Sequence, residues 1–129
     1  PLIDASGTVG AARAAVAQGT PALASSQGLD EDPPEFSAGV EQVLAWVDEN
    51  REALVAGEAD VAVTNLNIPS CATGEVRGLV EVPVADDMAG RDYNEADCTS
   101  TEADPVDDVG GFNVGFATIG VIPPTPAAG

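Results

Sequence analysis

The longest periodic pattern in the chain predicts an amphipathic helix across positions 36–55. Apolar residues recur there at helical spacing with acidic residues between them, and Gly57 is placed to end the helix. The apolar positions are Phe36, Val40, Val43, Leu44, Val47, Leu54 and Val55. Just before them, Asp32-Pro33-Pro34-Glu35 has the spacing of a capping box with proline in the first turn. We therefore expect the helix to begin at this turn and to turn its apolar stripe towards the core.

Shorter apolar runs on either side of this helix predict strands. Pro21–Ser25 is typical of a buried parallel strand, and Val61–Ile68 predicts a second strand that ends at Pro69. Further on, Val76, Val80, Val82 and Val84 share one face at strand period. Two asparagines lie inside the second strand, and each needs a hydrogen-bond partner because an unpaired buried amide costs about 1–3 kcal/mol. The simplest interpretation is that they bond to neighbouring loops.

A third pattern, near the start of the chain, predicts a helix whose N-terminus is a candidate anion site. Ser6 is a favourable N-cap residue, the alanine-rich run to Ala17 has high helix propensity, and Gly19 suits a left-handed C-cap. Such a helix opens with unpaired N–H groups and the positive end of its dipole, where phosphate is a common ligand. The alternative is an ordinary capped helix that packs its alanine face on a sheet.

The charge of the chain excludes one large class of partners. The sequence holds 22 acidic residues against four basic ones, for a net charge of −18, and every basic residue is an arginine. A basic patch that binds nucleic acid or anionic lipid is therefore excluded, so we expect neither nucleic acid nor a membrane as partner. Adaptation to salt or to an acidic extracellular setting would produce this composition, and so would the residue usage of a GC-rich genome.

Cys71 and Cys98 are the two cysteines of the chain. Because the sequence contains no histidine, a zinc site of the usual kind and a Cys–His nucleophile are excluded. A disulfide between them would close a loop of about 28 residues and contribute on the order of 3 kcal/mol. It would also imply an exported protein. Two unrelated buried thiols are the alternative. The polar stretch 86–104, which contains Cys98, is predicted to be a loop on the protein surface.

Several of these segments resemble one known family. Ser-Gly-Thr-Val-Gly-Ala-Ala (6–12), followed by Gly-Thr-Pro-Ala-Leu-Ala (19–24), is similar to the second half of the SurE family. These are survival-protein nucleotidases, metal-dependent phosphatases that act on nucleoside monophosphates. Asn-Leu-Asn-Ile-Pro (65–69) resembles a family strand, and Val76-Arg77 partly matches a Thr-Arg pair. The closing segment 104–123 resembles the short helix and strand that follow, with Asp104 as the predicted N-cap. The matching segments, in chain order, are Ser6–Ser25, Phe36–Gly57, Thr64–Gly78 and Asp104–Ile122.

The resemblance implies an α/β fold with a Rossmann-like, largely parallel sheet, here a partial domain without its N-terminal βα units. Residues 1–122 would be the C-terminal portion of the phosphatase domain, and 123–129 a Pro/Ala-rich tail. Ser6, Gly7 and Thr8 would line the substrate phosphate site. In the family a divalent metal, Mg²⁺ or Mn²⁺, is held by residues that precede the Ser-Gly-Thr turn. The metal ligands and catalytic residues are therefore expected to be absent from this chain.

Two functions from different classes follow. The first is part of a 5'/3'-nucleotidase, a metal-dependent phosphomonoesterase. Its partners would be a nucleoside monophosphate or another phosphomonoester, and the missing N-terminal half or another subunit, with homo-oligomers expected. The second is a non-enzymatic, acidic, exported module, stapled by the Cys71–Cys98 disulfide, with a structural or binding role.

Overall fold

A computed structural model of the protein describes residues 2–31 and 33–126, except for the side chain of Leu2. A 3₁₀ turn at Leu2–Ala5 precedes helices and strands that alternate along most of the chain. In chain order these are α1 (Gly7–Ala17), β1 (Ala22–Gln27), α2 (Phe36–Ala56), β2 (Val63–Ile68), β3 (Leu79–Glu81), α3 (Asp108–Asn113) and β4 (Ala117–Ile122).

The strands form one four-stranded sheet in the order β1-β2-β4-β3. β1 pairs with β2 in parallel, β3 pairs with β4 in parallel, and β2 pairs with β4 antiparallel. The predicted α/β fold is thus confirmed, including strands at both predicted positions in one sheet. The sheet is mixed because β4 returns between β2 and β3 in the direction opposite to β2.

Helix α1 forms and packs as its sequence predicts. The Ser6 side chain caps the N-terminus by accepting a hydrogen bond from the Val9 N–H (N···Oγ 3.2 Å). At the other end Gly19 has φ +86°, and the N–H groups of Gly19 and Thr20 donate to the carbonyls of Val16 and Ala15. This is the Schellman arrangement, which needs a left-handed residue after the cap. One face of α1 joins the sheet in a core cluster of Val9, Ala12, Val16, Ala24, Val63 and Ile122.

Helix α2 lies against the opposite face of the sheet, and it differs from its prediction in two ways. It begins at Phe36, with Glu35 as N-cap and no side-chain cap bond, so the predicted start one turn earlier is wrong. The Glu35 carboxylate instead accepts from the Cys71 N–H at 3.1 Å, and Asp32 lies outside the described residues. Gly57 ends the helix in the left-handed region, as predicted.

The second difference concerns burial of the apolar stripe of α2. Phe36, Val40 and Leu44 are 58%, 55% and 58% exposed, and Val55 near the end of the helix is 85% exposed. The expectation that the whole stripe faces the core is therefore wrong for these four residues. Ala38 and Val43 do pack against the second core cluster, which consists of Leu66, Ile68 and Ala117. Within the described residues, no helix combines the length and apolar character that crossing a bilayer requires.

The region after β2 is built from loops held by specific contacts. Cys71 and Cys98 form the predicted disulfide, with their Cα atoms 5.7 Å apart. The strand predicted to reach Val84 is limited to Leu79–Glu81. The N-cap of α3 is Asp107 rather than Asp104, because the Asp107 carboxylate accepts from the Gly110 N–H at 2.7 Å. Asp104 lies outside the helix with φ +55°.

Candidate functional site

A cavity of about 580 Å³ lies where the carboxyl ends of β1 and β2 meet the N-terminus of α1. Its wall combines amide and hydroxyl side chains with apolar and aromatic ones. The lining residues are Ile3, Ala5, Ser6, Val9, Ser26, Gln27, Gly28, Leu29, Asn65, Asn67, Tyr93, Asn94, Asp108, Val109 and Phe112. Concave sites with a few convergent polar groups at the carboxyl ends of strands are the usual ligand sites of open α/β sheets.

The topology brings these groups together. Because β1 and β2 are parallel and in register up to the pair Gln27–Ile68, both strands end at the same edge of the sheet. Helix α1 leads into β1 through a short connection at 18–21, so its N-terminus lies back at that same edge. The chain order of helix, short connection and strand thus places the N-terminus of α1 beside the carboxyl ends of β1 and β2.

The N-terminus of α1 holds the residues predicted to bind phosphate, and these residues differ in solvent exposure. Ser6 is half-buried and lines the cavity, whereas Gly7 and Thr8 are exposed and are not among its lining residues. The Ser6 side chain and carbonyl accept from the N–H groups of Val9 and Gly10. The N–H groups of Gly7 and Thr8 belong to the first helical turn, which has no internal acceptors for them, and they remain available to solvent or a ligand.

A network around Ser70 fixes the turn that follows β1. The Ser70 hydroxyl donates to the Gly28 carbonyl (Oγ···O 2.6 Å) and accepts from the Glu35 N–H (N···Oγ 2.9 Å). The Gln27 side-chain amide donates to Ser70 Oγ (3.1 Å) and to the Pro69 carbonyl (2.9 Å). Ser70 is 1% exposed. No local sequence signal predicts this network, because Ser70 lies 42 or 43 residues from Gly28 and Gln27 and 35 residues from Glu35.

Helix α3 supplies the only carboxylate among the lining residues, Asp108. Burial raises the pKa of Asp108, and hydrogen bonds from the N–H groups of Ala85 (2.8 Å) and Val109 (2.9 Å) oppose that rise. Its neighbour Asp107 has a lowered pKa, chiefly because Arg91 hydrogen-bonds to its carboxylate. The two adjacent acids therefore differ: Asp107 is held as a structural anion, and Asp108 retains its proton more readily at the cavity wall.

The two asparagines of β2 also face the cavity. We predicted hydrogen bonds from them to neighbouring loops, and that prediction is wrong. In residues 2–31 and 33–126 neither the Asn65 nor the Asn67 side chain has a hydrogen-bond partner, although Asn65 is only 7% exposed. Both line the cavity instead. The sequence signal for this was the position of two amides inside an otherwise apolar strand.

The described residues do not fit a divalent metal. No group of three or more His, Cys, Asp or Glu side chains in this part of the chain is arranged to hold one. Asp108 alone gives the cavity a single carboxylate, whereas Mg²⁺ and related ions take several oxygen ligands in a defined geometry. The lining therefore offers one carboxylate beside neutral amide and hydroxyl oxygens, and not the cluster of acidic ligands on which such a site is usually built.

Comparison with known protein families places this chain beside a named family. The model of the family described as Survival protein SurE matches residues 2–91, which span α1, β1, α2, β2 and β3. Comparison with curated proteins and with solved structures gives no match.

Proposed function

The chain belongs to the Survival protein SurE family, and on that premise we propose that it forms the phosphate-binding part of a phosphomonoesterase acting on nucleoside monophosphates. The observation that carries the proposal is the position of the α1 N-terminus at the rim of the cavity. Ser6 lies in the cavity wall, and the exposed N–H groups of Gly7 and Thr8 follow it directly. These groups combine with the helix dipole to favour an anion at this point.

In this proposal the chain binds and orients the phosphate group. The N–H groups of Gly7 and Thr8 donate to phosphate oxygens, and the hydroxyls of Ser6 and Thr8 add two further donors. Donors fixed in the folded state stabilise negative charge that develops during reaction, because they need no reorganisation. Members of the family use a divalent metal to activate water and neutralise charge at phosphorus. The described residues contain no group of three or more His, Cys, Asp or Glu side chains arranged to hold it, so we assign no catalytic residue within them.

We further propose that residues 1–122 are the C-terminal portion of the domain, with 123–129 as a tail of which 127–129 lie outside the described residues. Two surfaces support a missing N-terminal portion. β1 is the end strand of the sheet and pairs only with β2 among the described strands. Next to it, Phe36, Val40 and Leu44 of α2 form an exposed apolar strip. An unpaired strand edge beside apolar surface is a template for a further strand, here one that brings the metal ligands.

The phosphate site is tested by titrating the 129-residue chain with inorganic phosphate and recording backbone amide signals by NMR. We expect the signals of Gly7 and Thr8 to shift, and the Thr8→Val variant to bind phosphate more weakly. Ser37→Ala, which removes an exposed hydroxyl from α2, is the matched control and should leave binding unchanged. Phosphate that leaves the Gly7 and Thr8 signals unmoved contradicts the proposal.

The alternative, an exported acidic binding module without enzymatic activity, is favoured by one specific observation. Disulfides persist in oxidising compartments, and the structure contains the Cys71–Cys98 bond. Export itself is compatible with either function. The reading frame upstream of Pro1 separates the two: an apolar strand followed by Asp-Asp-Gly supports the enzyme, and a signal peptide that runs directly into Pro1 supports the module.

A further inference from the structure

Asn65 is a mostly buried residue whose side-chain amide lines the cavity and has no partner among the described residues. The residue is 7% exposed, it lies in the middle of β2, and no hydrogen bond reaches its side chain from the described residues. The register explains why: its neighbours across the sheet are Ala24 on β1 and Gly120 on β4, neither of which has a polar side chain. Among the described residues, the buried side-chain polar atoms without a partner are Gln27 Oε1 and Thr118 Oγ1, so the Asn65 amide itself is open to the cavity that it lines. Its hydrogen bonds are therefore left for water or a ligand inside the cavity.

The surroundings of Asn65 define what could enter. Asn67 lies two residues further along the same face of β2 and also lines the cavity, while Val9 and Phe112 supply apolar wall. No arginine is among the lining residues, and the sequence contains no lysine or histidine. A second anionic group would therefore meet no opposite charge at this end, next to Asp108. The amides suit a neutral group.

An asparagine amide presents a donor and an acceptor in one plane. Its complement is a ligand with an acceptor and a donor side by side, as the edge of a nucleobase or a pair of vicinal sugar hydroxyls provides. Ser6 lines the same cavity at the N-terminus of α1. A molecule with phosphate at one end and such a neutral group at the other would contact both.

We propose that Asn65 is a specificity-determining residue, whose amide hydrogen-bonds the neutral donor–acceptor edge of the alcohol portion of the phosphomonoester. This inference rests on the proposed function for the phosphate end of the ligand. For the other end it rests on the Asn65 amide, which has no partner among the described residues. Asn67, two residues further along β2, provides a second amide for the same ligand edge. The apolar wall formed by Val9 and Phe112 excludes water from these hydrogen bonds. The phosphate gives binding strength, and the Asn65 amide selects which phosphate ester fits.

The experiment uses the side-chain amide signal of Asn65 in the NMR spectrum of the whole 129-residue chain, assigned by its loss in Asn65→Asp. Adenosine, adenine, ribose and inorganic phosphate are titrated separately. Adenosine should shift the Asn65 signal, and phosphate alone should not. A shift with adenine identifies the base edge as the recognised group, and a shift with ribose identifies the hydroxyl pair.

A pair of variants completes the test. Asn65→Leu keeps a similar volume without the amide, and should weaken adenosine binding about tenfold, the loss of roughly one hydrogen bond. Asn50→Leu removes an amide from α2, where it donates to the Trp46 carbonyl, and should not affect binding. An Asn65 signal that none of the three neutral probes shifts overturns the inference. Failure of the proposed function shows separately, as phosphate that leaves the Gly7 and Thr8 signals unchanged.

Discussion

The cap of α3 can be divided experimentally into a hydrogen bond and an ion pair, because the Asp107 carboxylate makes both. It accepts from the Gly110 N–H at 2.7 Å, and from the two terminal nitrogens of Arg91 at 2.8 and 3.0 Å. Asparagine caps a helix about as well as aspartate, whereas alanine does not. Asp107→Asn therefore removes mainly the ion pair, and Asp107→Ala removes the pair and the cap.

The N-cap hydrogen bond and the Arg91–Asp107 ion pair should contribute similar amounts to the free energy of unfolding. An N-cap contributes about 1 kcal/mol. The side chains of Arg91 and Asp107 are 28% and 18% exposed, so solvent screens the pair only in part, and we assign it about 0.5–1 kcal/mol. The free energy of unfolding should therefore fall by about 0.5–1 kcal/mol in Asp107→Asn and by about 2 kcal/mol in Asp107→Ala.

Urea unfolding followed by the fluorescence of Trp46, the single tryptophan, measures both losses. Arg91 also donates to the Met88 carbonyl, so Arg91→Ala alone overstates the pair, and the double variant Arg91→Ala/Asp107→Asn isolates the coupling. The pKa of Asp107 is lowered in the folded state. Its contribution is therefore present above its unfolded pKa near 4, and is lost as the pH falls through the folded pKa. Equal losses in Asp107→Asn and Asp107→Ala, or zero coupling with Arg91, would refute this account.

Three further outcomes are expected. Reduction of the Cys71–Cys98 disulfide with dithiothreitol should lower the free energy of unfolding by on the order of 3 kcal/mol. The same treatment should leave the stability of the Cys71→Ser/Cys98→Ser variant unchanged. If dithiothreitol lowers the stability of the wild-type protein and of the variant equally, the disulfide does not stabilise the fold. Gly28→Ala would place a Cβ 2.7 Å from Phe112 Cζ and should destabilise by about 1–3 kcal/mol, whereas Gly10→Ala, in α1 with open space, should stabilise by about 0.5–1 kcal/mol; a melting temperature that rises in both variants would show that the turn after β1 yields freely. The isolated chain with Mn²⁺ and a nucleoside monophosphate should show no turnover; turnover that EDTA abolishes would show that these residues do hold the metal.

Local rules predicted α1, the start of β1 to within one residue and the end of β2 at Ile68, because the signals there are short-range. They placed the end of β1 two residues too early and the start of β2 two residues too early. A serine cap, an alanine run and a glycine after the last turn determine a helix without help from the rest of the chain. The same rules failed at the start of α2. There the Glu35 carboxylate pairs with the backbone of Cys71, 36 residues away, and the Glu35 N–H donates to Ser70. A contact of that range cannot be derived from a capping pattern.

The candidate site was only partly predictable for a related reason. The helix N-terminus with Ser6, Gly7 and Thr8 follows from a local motif, although only Ser6 lines the cavity. Asp108 and Phe112 reach the same cavity from a segment about 100 residues later. Asn65 was visible as an amide in an apolar strand. That no described residue bonds to its side chain depends on Ala24 and Gly120, which become its neighbours only when the sheet forms.

The arginines carry a consequence for how the chain behaves as a polyelectrolyte. Three of the four act as internal ties: Arg13 donates to the Pro123 carbonyl, Arg77 binds the Glu102 and Val114 carbonyls, and Arg91 binds Asp107. The fourth, Arg51, stands exposed beside Asp48. Nearly all positive charge is thus committed to holding loops in place, and the outer surface presents acid almost without counter-charge. Dissolved cations must therefore neutralise the acidic surface, and they are in effect a component of the native state. Lowering the salt concentration should reduce the free energy of unfolding and weaken any self-association at the same time, because repulsion between the acidic side chains is then less screened.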